Sequence, residues 1–141
     1  MDVYETIKST VKSADSKKLE KLGKLLEDNP KYCNIAMKYA AMEGEFPIMK
    51  FLLKKGANDY DYDYFLTLAA ERGHLPILQL LIDNGAKNYN WALQYAALKG
   101  HVDIVQLLLH KGANDYNASN HTKNQEIIDL IEIYKNGKIK L

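Results

Sequence analysis

The chain lacks most of the features that would assign it a chemistry. It has one cysteine, Cys33, in 141 residues, so no internal disulfide can form. The amino-terminal stretch MDVYETIKSTVKS contains no apolar core of the kind a secretion signal needs. No apolar run approaches the roughly 18 residues of a membrane span. Charge of one sign is missing too: 19 Lys and Arg offset 18 Asp and Glu, and the two signs are mixed along the chain. A net charge of +1 gives no reason to expect nucleic acid or an anionic membrane as partner. No glycine-rich phosphate loop and no nucleophile elbow is present. These absences predict a soluble, cytoplasmic protein with no cofactor. In that setting the glycosylation patterns at Asn117 and Asn120 go unused.

What the chain does have is a period. At 47% hydrophobic and 26% charged residues it is globular rather than disordered. Gly44, Gly73 and Gly100 are spaced 29 and 27 residues apart, and Gly56, Gly85 and Gly112 keep the same steps. The alanine pairs Ala40-Ala41, Ala69-Ala70 and Ala96-Ala97 follow them. The step from the first alanine of each pair to the closing glycine is 16 in all three copies. A fixed repeat of this size means stacked units that share one continuous core. The stretch divides into units at 1–30, 31–56, 57–85, 86–112 and 113–141, forming one domain.

Each internal unit reads as two helices. The first, over 33–43, 64–72 and 91–99, carries the alanine pair and stops at a glycine suited to a left-handed cap. The second begins with Pro47, Pro76 or Asp103 in its first turn, where proline costs little and an acid favours the helix dipole. Its apolar residues repeat as Ile48, Leu52, Leu53; Ile77, Leu81, Ile82; and Ile104, Leu108, Leu109. Residues 1–30 read as a capping unit. Val3, Ile7 and Val11 form one stripe, Ser13 to Ser16 make a turn, and Leu19, Leu22, Leu25 and Leu26 form a second stripe. Residues 113–141 close the stack with a helix at about 124–135, and four residues are missing before it. All variation in unit length lies in the connectors, where Tyr62-Asp63 reads as a two-residue insertion. Tyr60, Tyr89 and Tyr116, each four residues after a closing glycine, read as framework that packs the turn.

The phrases AALKGHVDIVQLLLHKGA at 96–113, Ala69-Ala70-Glu71-Arg72-Gly73-His74 and Leu80 to Ala86 resemble ankyrin repeats. The repeated GAxxYN phrasing is similar to short ankyrin repeats of large DNA viruses that infect protists. The units depart from the family in length, and Ile35 to Lys38, Tyr64 to Thr67 and Trp91 to Gln94 replace its T-P-L-H. The family's projecting β-hairpin is therefore expected to be trimmed to a turn. The predicted fold is an all-α, ankyrin-type solenoid of helix–turn–helix units.

The resemblance implies a protein partner bound on an extended concave face. Its contacts would come from the connector tips and the exposed pairs Met42-Glu43, Glu71-Arg72 and Leu98-Lys99. The units also differ from one another at Asp61-Tyr62-Asp63, Asn90-Trp91 and Asn117. A fold that tolerates variety there leaves those positions for specificity, with Tyr, Trp and Asn suited to contact. Trp91 has two readings, as a contact residue or as packing for the start of its helix.

Readings that carry chemistry fare worse. Asp59, Asp61 and Asp63 alternate as in a calcium loop, but Tyr64 stands at the turn-glycine position and Ala70 at the bidentate Glu position. His74 and His101 share one repeat position and suit a hydrogen bond to the inter-unit loop. His110 and His121 have no partner at ligand spacing. Cys33, near a helix start, is either a thiol of lowered pKa or a small buried side chain. The lysines from Lys135 to Lys140 read as a solvated tail. The expected function is a monomeric, non-catalytic protein-binding module, engaging a host protein if the origin is viral. The alternative is a structural protein that associates with itself.

Overall fold

A computed structural model of the chain describes residues 2–12, 15–56 and 61–137. Nine α-helices follow in order among these residues: α1 (Val3–Lys12), α2 (Ser16–Asp28), α3 (Cys33–Glu43), α4 (Phe46–Lys54), α5 (Tyr62–Arg72), α6 (Leu75–Asp83), α7 (Tyr89–Lys99), α8 (Val102–His110) and α9 (Gln125–Lys135). Short 3-10 turns occupy Pro30–Tyr32 and Tyr116–His121. No strand occurs among the described residues, so the fold is an all-α stack.

The helices form two layers. The first helices α1, α3, α5 and α7 pack on one another along the stack, and each of α4, α6 and α8 covers the first helix of its own unit. The alanine pairs are fully buried where the first helices meet, because a methyl side chain lets two backbones approach closely. The second helices touch each other more sparsely than the first helices do. Each of α4, α6 and α8 is nine residues long and buries one apolar set: Ile48, Met49, Leu52; Ile77, Leu78, Leu81; Ile104, Val105, Leu108, Leu109. Each such side chain contributes roughly 2 kcal/mol on burial, and a helix of this length does not persist alone in water. Leu53 and Ile82, expected in the core, are only half-buried at its edge.

Helix register departs from the periodicity at one place that matters. The first helices start at Cys33, Tyr62 and Tyr89, each seven residues before the first alanine of its pair. Thus α5 and α7 begin two residues earlier than the pattern predicts. Asn88 caps α7, its Oδ1 accepting the Trp91 backbone N–H at 3.4 Å. Tyr62 is then the counterpart of Tyr89, and the two extra residues precede it rather than include it. Tyr62 lies in the first turn of α5 and is only 9% exposed, so it does not project from a connector. Tyr89 and Tyr116 are half-buried against the core, whereas Tyr60 lies outside the described residues.

Two sets of hydrogen bonds stitch neighbouring units. Asp63 Oδ1 accepts the backbone N–H groups of Lys87 (2.7 Å) and Asn88 (3.1 Å) in the next connector. One unit later, Asn90 Oδ1 accepts those of Asn114 (2.8 Å) and Asp115 (3.1 Å). Asn34 stands at the same repeat position, and its Oδ1 is buried with no partner among the described residues. The connector assigned to it by register, 57–60, lies outside them. In the second set, His74 Nε2–H donates to the Met42 carbonyl (3.0 Å) and His101 Nε2–H to the Glu71 carbonyl (2.9 Å).

The ends of the stack are built differently. Asp15 caps α2 by accepting the Lys18 N–H at 2.9 Å, while Ser13 and Ala14 are outside the described residues. Ile7, Val11, Leu22 and Leu26 join the core there. At the other end the missing residues leave no room for an eleven-residue first helix, and the 3-10 turn Tyr116–His121 packs against α7 instead. Asn124 then caps α9 with bonds from Glu126 and Ile127 N–H, and Ile127 and Ile131 are buried.

Candidate functional site

Side chains on the first helices alternate between a buried stripe and a solvent-facing one. On α7, Ala92, Leu93, Ala96 and Ala97 turn inward, which leaves Trp91, Tyr95 and Leu98 outward at i, i+4 and i+7. On α5, Tyr64 holds the same repeat position as Trp91. Six large apolar side chains are exposed among the described residues, and four of them lie here: Trp91 61%, Leu98 54%, Tyr64 49% and Tyr95 37%. The other two, Tyr4 on α1 and Phe46 on α4, belong to different helices. Tyr64, Trp91 and Tyr95 line a cleft of about 280 Å³ between α5 and α7, with Asp63, Thr67 and Asn88 at its edge. Beside it Leu98, Tyr95, Gln94 and His121 border a shallower one of about 210 Å³.

The residues named from the sequence fall into three groups. Trp91 and Leu98 join this exposed apolar surface, and Arg72 and Lys99 flank a depression at the carboxyl-terminal ends of the same helices with Glu71 and His101. Trp91 does not bury the start of its helix. Asp63 and Asn90 carry the inter-unit bonds described above, and Met42 and Glu71 lend their carbonyls to the histidines. Glu43 is exposed at the end of α3, Asp61 is half-buried at the start of α5, and Asn117 is exposed in the Tyr116–His121 turn. Tyr62 is buried, which sets it apart from the surface group. Sequence reasoning passed over Tyr64 and Tyr95. Their signal was available: an aromatic at the Trp91 position one unit earlier, and another one turn after Trp91.

The remaining candidates resolve by environment. Burial pushes the Cys33 thiol above its usual pKa, which makes it a poor nucleophile and removes the lowered-pKa reading. The Asp63 carboxylate is committed to two backbone N–H groups, and Asp59 lies outside the described residues. Among the described residues, no three His, Cys, Asp or Glu side chains are placed to hold a metal ion. No helix among them is long and apolar enough to cross a membrane.

Two layers of short helices, stitched unit to unit, define a helical repeat protein with an exposed first-helix face. A family model described as ankyrin repeats (3 copies) matches residues 11–86 and 37–120. The chain belongs to the ankyrin-repeat family. Members of that family are generally protein–protein interaction modules, and generally non-catalytic. No curated protein matches the chain.

Proposed function

We propose that the protein is a non-catalytic module that binds a protein partner on the solvent face of α5 and α7, the concave side of the stack. The observation that supports this is the clustering of Tyr64, Trp91, Tyr95 and Leu98 in solvent, four of the six exposed large apolar side chains among the described residues. Exposed aromatic and aliphatic side chains gathered on one face mark interaction surfaces, and Trp and Tyr carry much of the energy when such surfaces close. Arg72, Lys99 and Glu43 supply charge at the rim. If the viral resemblance of the GAxxYN phrasing holds, the partner is a host protein, met in the cytoplasm.

The test is a photo-crosslinking amino acid placed at Leu98 on this face, and in a second variant at Gln106, exposed on α8. Crosslinking in the native cell to a distinct protein from position 98 and not from 106 is the expected result. A crosslink from 106 alone, or from neither, overturns the proposal. A product made of two copies of this chain transfers the face to self-association.

A further inference from the structure

We infer that the α5–α7 face selects an extended peptide segment carrying a lysine or arginine and, about four residues away, an aspartate or glutamate. This rests on the protein-binding reading above and adds the chemistry of the bound segment. The two ends of the face differ in character. At the amino-terminal end, the cleft walled by Tyr64, Trp91 and Tyr95 holds about 280 Å³, below the range of sites that enclose a whole small molecule. It has room for one long side chain.

A cation suits that cleft better than an apolar group. Three aromatic rings line it, and aromatic faces attract positive charge, while Asp63, an acidic side chain whose Oδ1 accepts two backbone N–H groups, lines it too. An apolar side chain would strip water from Asp63, Thr67 and Asn88 and return no hydrogen bond. Lysines sit over Tyr39, Tyr32 and Phe51, yet among the described residues no cation sits over Tyr64, Trp91 or Tyr95.

At the carboxyl-terminal end the sign reverses. Arg72 and Lys99 are both exposed beside Glu71 and His101, so two cations face one carboxylate. Asp63 to Arg72 is nine residues of α5, and Trp91 to Lys99 is eight of α7. At 1.5 Å per residue these spans are roughly 12–14 Å. An extended chain covers that distance in about four residues at 3.3 Å each. Leu98, one residue before Lys99, adds apolar surface at the carboxyl-terminal end beside Tyr95 and His121.

The experiment pans a random peptide library against the full chain and measures the affinities of resynthesised peptides. Enriched sequences should pair a basic with an acidic residue about four apart. Binding should fall roughly tenfold or more in Tyr64→Ala/Trp91→Ala. Selection on Arg72→Glu/Lys99→Glu should replace the acidic residue with a basic one. Peptides that need Trp91 but show no such charge pair overturn this inference and leave the face intact as a binding surface. Peptides that bind equally well to Tyr64→Ala/Trp91→Ala overturn both, and failure to enrich any peptide overturns the inference.

Discussion

Gly73 and Gly100 offer a controlled comparison of how one unit locks onto the next. Both end a first helix with the same left-handed backbone, φ +79°. Alanine at either position meets the cost of that conformation for a residue with a Cβ, about 1–2 kcal/mol. Around Gly100 nothing lies within 4 Å of the added Cβ. At Gly73 the Cβ would stand 2.7 Å from Cε1 and 2.9 Å from Nδ1 of His101, closer than such atoms approach. The ring must swing away, and its 2.9 Å bond to the Glu71 carbonyl is lost. That adds about 1–2 kcal/mol for the lost bond and disturbed packing. Gly73→Ala is therefore expected to cost about 2–4 kcal/mol and Gly100→Ala about 1–2. At about 3 °C of Tm per kcal/mol for a chain of this size, the melting curves should separate by about 3–6 °C. Circular dichroism melts and urea titrations read the difference. In a His101→Ala background the ring is gone, so Gly73→Ala should cost no more than Gly100→Ala, giving a coupling of about 1–2 kcal/mol. Equal costs for the two glycine variants, or no coupling with His101, would refute the reasoning.

Three further outcomes follow from the same structure. Asn90→Ala removes the acceptor for Asn114 and Asp115 N–H and should cost about 1–2 kcal/mol, with faster hydrogen exchange at those two amides. Asn90→Asp keeps that acceptor, as Asp63 does in the unit before, and should retain most of the stability; a loss equal to that of alanine would contradict the staple. Trp91→Ala should change stability by less than about 0.5 kcal/mol, because the side chain is mostly in solvent; a melt lowered by several degrees would make Trp91 framework. Tyr39 donates a hydrogen bond to Tyr4, and that bond together with burial pushes its phenol pKa up to about 12, from about 10 in the unfolded chain. The folded value is the higher one, so this contribution to stability is fully present below about pH 10 and lost as pH rises through about 12. A spectrophotometric titration should show one late tyrosine that returns toward its ordinary value in Tyr4→Phe.

The sequence by itself determined the repeat, the helix pairs and the all-α character. The alanine pairs and cap glycines recur because every unit meets the same neighbour in the same way, so packing constraints are written once per unit. The stripes Val3-Ile7-Val11 and Ile104-Leu108 were legible for the same reason. The shared position of His74 and His101 announced a shared bond, although it reaches a carbonyl in the last turn of the preceding unit's first helix rather than the inter-unit loop. Sorting framework from surface at the helix starts was not legible. Asp63 and Asn90 differ as residues, and difference between units suggested free variation, yet both place an acceptor oxygen on two backbone N–H groups of the next connector. Only stacking reveals that equivalence. Tertiary structure also decided that α5 and α7 start at Tyr62 and Tyr89. Side chains two apart on a helix point about 200° from one another, so extending α5 back to Tyr62 put that residue on the buried face, while Tyr64, and Trp91 and Tyr95 on α7, stay in solvent.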